Sequence, residues 1–204
     1  MTTFYIVRHG ETEWNIQGRV QGHGDSPLTV NGELQAKKVA DKLKNIHFDL
    51  AFSSDLLRAK RTAEVIAKEH KLEVVTTKLL REKDFGTYEG TPYAAFKAFD
   101  DLFETLSETE KFTFKGHESI ESDEEIVGRF ITFLRETALT HPAKTILVGT
   151  HGAMMRVLLV HLGYGTYKQL SYSSVGNGAH IVLESDGIDF FIKDVEGVQK
   201  KETN

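Results

Sequence analysis

The 204-residue chain has no cysteine, three prolines and one tryptophan. Without thiols it has neither a disulfide framework nor thiolate chemistry, which fits a reducing cytoplasm. No apolar run approaches the roughly 18 residues that a membrane span needs, and residues 1–3 lack the basic start and apolar core of a secretory signal. A membrane partner is therefore not expected. With 25 Lys and Arg against 30 Asp and Glu the formal net charge is −5, and aromatics do not interleave with basic clusters. That balance leaves no electrostatic footprint for nucleic acid. Internal repeats and low-complexity linkers are also lacking, so residues 1–204 read as one domain, long enough to bury a real core. Length and composition are compatible with a monomer and with a homodimer.

What the chain does have is an alternation of strand-like and helix-like segments. Residues 4–8 form an apolar strand, residues 29–46 carry Ala36, Val39, Ala40 and Leu43 as one helical stripe, and residues 49–53 return as a strand. Ser54-Asp55 is expected to cap a helix whose inner face is Ala59, Ala63, Ile66 and Ala67. A third strand covers 73–77. Ser122-x-x-Glu125 matches a capping box and opens a long helix with Ile126, Phe130, Phe133, Leu134 and Ala138 inward. A strand at 145–150, a helix at 152–161 and a hairpin of 178–184 with 189–195, turning at Ser185-Asp186-Gly187, complete the order. The polar tail from residue 196 is expected to fray. This order predicts an α/β fold, a three-layer α/β/α sandwich on a mostly parallel sheet.

Residues 91–121 resist the scheme. Tyr93, Phe96, Phe99 and Phe103 recur at near-helical spacing among three lysines and seven acids, a local net charge of −4. The stripe predicts an excursion packed onto the domain through its aromatics, with its acids in solvent; a lid over a pocket is the alternative.

The chemistry concentrates where two strands end. Phe4-Tyr5-Ile6-Val7 leads into Arg8-His9-Gly10, and the apolar run 145–150 leads into His151-Gly152. Ligands of open parallel sheets bind at the carboxyl ends of the strands, so two such strands side by side would bring two imidazoles into one pocket. Arg8, at the inner end of a buried strand, needs anionic or carbonyl partners to offset desolvation. Arg58 starts a helix from the same rim, where backbone N–H groups already favour anions. With Glu82, two arginines, two imidazoles and a carboxylate are expected to converge on a phosphate-sized anion. His47, His70, His141, His161 and His180 have no such placement, and His23 and His117 read as loop residues.

Read in order, these residues resemble a known family. Arg8-His9-Gly10-Glu11-Thr12-Glu13-Trp14-Asn15 is similar to the RHGE[ST]xxN signature of the histidine phosphatase superfamily, the phosphoglycerate mutase-like enzymes. The resemblance continues through Gly18-Arg19-Val20-Gln21-Gly22, Asp25-Ser26-Pro27-Leu28-Thr29, Gly32 with Gln35-Ala36, Ser53-Ser54 through Arg58-Ala59, Leu80-Arg81-Glu82 with Phe85-Gly86, and Gly149-Thr150-His151-Gly152. It implies a phosphoglycerate mutase-like fold and a phosphomonoester hydrolase without metal or cofactor, acting on a small phosphorylated metabolite. His9 would be the phosphorylated nucleophile, Glu82 the proton donor and His151 a stabiliser of the transferring phosphoryl. Arg8, Asn15, Gln21 and Arg58 would be phosphate ligands, with Gly22 and Gly152 completing the substrate site.

Three rival readings use the same residues. Two histidines and a carboxylate are acceptable zinc or iron ligands, but adjacent arginines would repel a divalent cation and no H-E-x-x-H spacing occurs. A non-catalytic phosphate-binding or interaction module would be expected to lose one of His9, Arg8, Arg58, Glu82 or His151, and all are present. A cofactor-dependent phosphoglycerate mutase must hold a second anionic group and keep water from the phosphohistidine. Here residues 91–128 contain no arginine, and Ala153-Met154 stand where mutases of the family carry Asn-Ser. The phosphatase is thus the expectation and the mutase its alternative.

Overall fold

The computed structural model describes residues 1–202. Strand β1 (Thr2–Arg8) and the short helix α1 (Glu13–Ile16) precede α2 (Val30–Leu43), β2 (Leu50–Ser54), α3 (Leu57–Glu69) and β3 (Val74–Thr77). Helices α4 (Tyr93–Thr105) and α5 (Glu108–Thr113) make up the excursion, followed by α6 (Asp123–Thr140), β4 (Thr145–Thr150) and α7 (Gly152–His161). Strands β5 (Val175–Ser185) and β6 (Phe190–Val198) form the closing hairpin.

All six strands join one sheet in the order β3-β2-β4-β1-β5-β6. The first four are mutually parallel and β5 runs antiparallel to β1, so the sheet is mostly parallel. Side chains alternate across it with period two. Val7 and Leu147 pack with Val39, Leu43 and Ile66 of α2 and α3 on one face. Phe4, Ile6, Ile146 and Val148 meet Phe130, Leu134, Val157 and Leu158 of α6 and α7 on the other. Helices therefore cover both faces, as the order of elements predicts.

The helix starts follow local chemistry. Thr29 accepts from Gly32 N to cap α2, and Ser122 with Glu125 closes the expected capping box on α6. Ser54-Asp55 does not cap α3. That helix begins at Leu57 with Leu56 as N-cap, and its first N–H donates to Asp25 Oδ2 at 2.6 Å. Asp55 instead takes the Arg81 guanidinium in a two-bond fork of 2.7 and 2.6 Å. A carboxylate from a distant loop outcompetes the local one for the helix end. Strand β5 starts three residues before the expected position, because Gly176-Asn177-Gly178 hides the alternation and a bulge separates Val175 from His180.

Within the excursion, Phe96, Phe99 and Phe103 are buried with Val20, Phe85, Ile120 and Tyr167 in a third, smaller core. Tyr93 departs from the expected stripe, being half exposed. Beside this core lies a buried ionic triad. Lys83 Nζ meets Asp123 Oδ1 at 2.6 Å, and Arg156 Nη1 approaches Asp123 Oδ2 at 3.6 Å while its guanidinium stacks 4.3 Å from the Tyr172 ring centroid. One carboxylate thus serves two buried cations.

Removing that carboxylate strands both charges. Asp123→Asn should cost about 3–5 kcal/mol, whereas Lys83→Met leaves a balanced Arg156–Asp123 pair and should cost clearly less. Urea unfolding of both variants at neutral pH checks the ranking, and the reverse order would refute it.

Candidate active site

Backbone pairing decides where the two histidines stand. β1 and β4 are adjacent and in register with Val7 opposite Gly149 and Arg8 opposite Thr150, so His9 and His151 leave neighbouring strand ends together. Their ring centroids lie 5.3 Å apart at an interplanar angle of 63°. His9 Nδ1 is 2.7 Å from the Gly10 carbonyl oxygen. A carbonyl can only accept, so Nδ1 carries the hydrogen and the neutral ring keeps its lone pair on Nε2. Only glycine fits at position 10, since a Cβ there would sit 2.3 Å from the Gly32 carbonyl oxygen.

Burial, then Arg58 and Arg8, drive the His9 pKa well below its ordinary value, so the ring is neutral at physiological pH. Burial, with Arg58 and His9 next, acts on His151 in the same direction. Neither ring nitrogen of His151 has a hydrogen-bond partner among the described residues.

The two guanidinium groups are held by backbone. Arg58, 1% exposed, donates Nη1 to the Gly24 carbonyl at 2.8 Å and Nη2 to the Gly22 carbonyl at 2.6 Å, with Asp25 3.4 Å from Nη1. Arg8 donates Nη1 to the Val175 carbonyl. In both residues the buried Nε has no partner among the described residues. Gly152 makes room for this arrangement, because a Cβ there would lie 3.0 Å from Arg8 Nε.

Glu82 is fixed at the amino end of α7. Its Oε1 accepts from Lys83 N and Met154 N at 2.9 and 3.1 Å, and its Oε2 accepts from Ala153 N at 3.1 Å. Its own carbonyl oxygen takes Arg129 Nη2 at 2.8 Å and lies 2.9 Å from His23 Nε2. The amide oxygens of Asn15 and Gln21 accept from Thr12, leaving their NH₂ groups as donors for a ligand.

One cavity of about 820 Å³ joins these groups. Arg8, His9, Asn15, Gln21, Gly22, Arg58, Glu82 and Gly152 all line it. His151 is fully buried and packs against His9, which lines the cavity. His23 and His117 are absent from the wall, the former tied to Glu82 and the latter to Ser119. The roles of three supporting residues escaped the sequence reading, although Asp25 itself lies in the matched segment 25–29. Asp25 braces Arg58, Thr62 accepts from Gly10 N at 3.1 Å, and Asn177 donates to the His9 carbonyl at 3.1 Å. Asn177 had a signal, an amide side chain flanked by two glycines inside a strand. Among the described residues no three His, Cys, Asp or Glu gather closely enough to hold a metal ion.

The model of the histidine phosphatase superfamily (branch 1) matches residues 4–196. The chain belongs to this superfamily. It is 33% identical over 165 residues, 81% of this chain and 79% of the relative, to a Bacillus subtilis protein named uncharacterized phosphatase PhoE. It is 48% identical over 89 residues to a probable phosphoglycerate mutase, GpmB, of Proteus mirabilis, a match spanning 44% of this chain and 41% of that one. A crystal structure of an Entamoeba histolytica phosphoserine phosphatase variant with phosphoserine superposes with a TM-score of 0.80 at 28% identity, covering 96% of each chain. The sheet order and helix layers described above are thus those of a phosphoglycerate mutase-like histidine phosphatase.

The depressed imidazole pKa in this histidine phosphatase has a measurable sign. In the unfolded chain both rings titrate near 6.5, so below that pH the unfolded state binds more protons and stability falls as pH falls. At about pH 6 the ¹⁵N shifts of His9 should report a neutral ring protonated on Nδ1. An imidazolium at that pH would contradict the assignment.

Proposed function

We propose that this histidine phosphatase hydrolyses phosphomonoesters of small metabolites through a phosphohistidine at His9, without a metal or a cofactor. The observation that carries the reading is one cavity flanked by nitrogens with nothing to bind. Arg8 Nε, Arg58 Nε and both His151 nitrogens are buried and unpartnered, and His9 keeps a free Nε2. A buried donor without an acceptor is costly, so such a cluster is built for an anion that brings its own oxygens.

The step balances on these residues. His9 Nε2 attacks phosphorus as the P–O bond to the alcohol breaks, and the alcohol oxygen takes its proton from Glu82. Water then attacks the phosphohistidine, gives its proton to Glu82 as the P–N bond breaks, and phosphate leaves. Arg8, Arg58, Asn15 and Gln21 hold the equatorial oxygens and His151 donates to the transferring phosphoryl. Their positions are fixed before reaction, so charge developing in the transition state meets donors that need no reorganisation. The N–H groups of α7 and Lys83 hold Glu82 at a fixed place on the cavity wall.

The mutase reading is favoured by the match to the probable phosphoglycerate mutase. Against it, the excursion that supplies the far wall of the cavity is acidic and contains no arginine to clamp a second anion.

Phosphate release from p-nitrophenyl phosphate should persist in excess chelator and vanish in His9→Ala, with an acid-labile, alkali-stable phosphoenzyme trapped on His9. Loss of activity in chelator that zinc or iron restores would sink the scheme. Rapid interconversion of 2- and 3-phosphoglycerate dependent on bisphosphoglycerate, with little phosphate released, would restore the mutase. Separately, Glu82→Gln should depress turnover of alkyl phosphates by about 100-fold or more and of aryl phosphates much less, since aryl leaving groups need little protonation. Equal losses on both would reduce Glu82 to a shaping role.

A further inference from the structure

Beyond the phosphate-facing nitrogens the cavity changes character. Helix α4 carries two neighbouring stripes. Phe96, Phe99 and Phe103 enter the aromatic core, while Tyr93, Lys97, Asp100 and Glu104, spaced four, three and four residues apart, line the cavity. Phe85, Phe96 and Tyr172 give the same cavity an aromatic wall. At about 820 Å³ it has the size of sites that enclose drug-sized ligands, far more than a phosphoryl group fills.

The charges on the α4 stripe are unequal. Lys97 Nζ is held by both oxygens of Asp101, at 2.6 and 2.8 Å, and Glu104 pairs with Lys111 at 3.2 Å. Asp100, half-buried between them in sequence, has neither a hydrogen-bond nor an ion-pair partner among the described residues. Burial, then Glu104 and Asp101, push its pKa above the ordinary aspartate value. The cation that opposes this most, Arg156, is 1% exposed and does not line the cavity; it lies against the Tyr172 ring and serves Asp123. A further buried polar atom on this wall, Tyr172 Oη, is also unpartnered.

We infer that this half of the cavity selects phosphate monoesters of a bulky aromatic alcohol that carries an ammonium group. The inference deepens the phosphatase reading and rests on it. The ring packs against Phe85, Phe96 and Tyr172, and the ammonium takes Asp100 as counter-ion, with the aromatic faces adding cation–π attraction. An alcohol bearing a carboxylate meets repulsion at the same point.

Three aryl phosphates with similar phenol leaving groups test this: the esters of tyramine, 4-ethylphenol and 3-(4-hydroxyphenyl)propionate. kcat/KM is measured with the wild type and Kd with His9→Ala, which binds without turnover. The tyramine ester should exceed the propionate ester by about tenfold in both, with the neutral ester between, the range expected when one partly exposed pair changes from attraction to repulsion. Asp100→Asn should bring the extremes within about threefold, and Asp100→Lys should reverse their order. A propionate ester that matches the tyramine ester, or a preference unmoved in Asp100→Asn, overturns the inference. If the wild type hydrolyses neither these three nor p-nitrophenyl phosphate, the phosphatase reading falls, and the Kd order in His9→Ala still decides the subsite.

Discussion

Everything at the site depends on keeping two guanidinium charges out of water without neutralising them. Had Arg8 and Arg58 been buried against carboxylates alone, the pairs would be stable and the cavity would have little attraction left for an anion. The fold uses carbonyl oxygens instead. Those of Gly22 and Gly24 take both outer nitrogens of Arg58 and that of Val175 takes Nη1 of Arg8, leaving each Nε unpartnered, while Asp25 approaches Arg58 only at 3.4 Å. Carbonyl dipoles offset part of the desolvation and keep the formal charge intact. This explains why the glycine-rich loop at 22–24 matters chemically: Gly22 adopts a φ of +54°, and a Cβ there would collide with Glu89. Glu89 in turn accepts from His23 N and Gly24 N at 2.7 and 2.8 Å, shaping the loop that presents those carbonyls.

Much of this was legible in the amino-acid order because it follows from short-range rules. The strand runs before His9 and His151, the capping box at Ser122 and Glu125, and the apolar stripes of α2, α3 and α6 each depend on residues a few positions apart. The convergence of His9 and His151 needed one further assumption, that their strands are neighbours, and the register of β1 on β4 supplies it. What stayed hidden depends on contacts across long sequence separations. Asp25 capping α3, Asn177 holding the His9 carbonyl and the Lys83–Asp123–Arg156 triad join segments that no local pattern connects. The placement of His151 was half legible: its strand end was foreseen, its complete burial against His9 was not.

The excursion illustrates why a single reading of an amphipathic stripe is too coarse. One face of α4 does what the aromatic spacing suggests and enters a core with Phe85 and Tyr167. The adjacent face lines the cavity. An arc of helix wider than the buried stripe is therefore committed, and Tyr93, exposed by the first criterion, belongs to the second. Side chains at 93, 97, 100 and 104 are free to vary in chemistry without disturbing the packing of Phe96, Phe99 and Phe103.

Glu82 and His151 are 69 positions apart, yet the same few backbone atoms hold both. His151 is the residue from which α7 departs, and Glu82 accepts from the N–H groups of Ala153 and Met154 in the first turn of that helix. The carboxyl is therefore tied to the same helix end from which the His151 backbone departs. A shift of the first turn of α7 would carry the Glu82 carboxyl with it, while the backbone of His151 stays tied through β4 to the strand that carries His9. The distance from acid to nucleophile is thus set by where that helix begins.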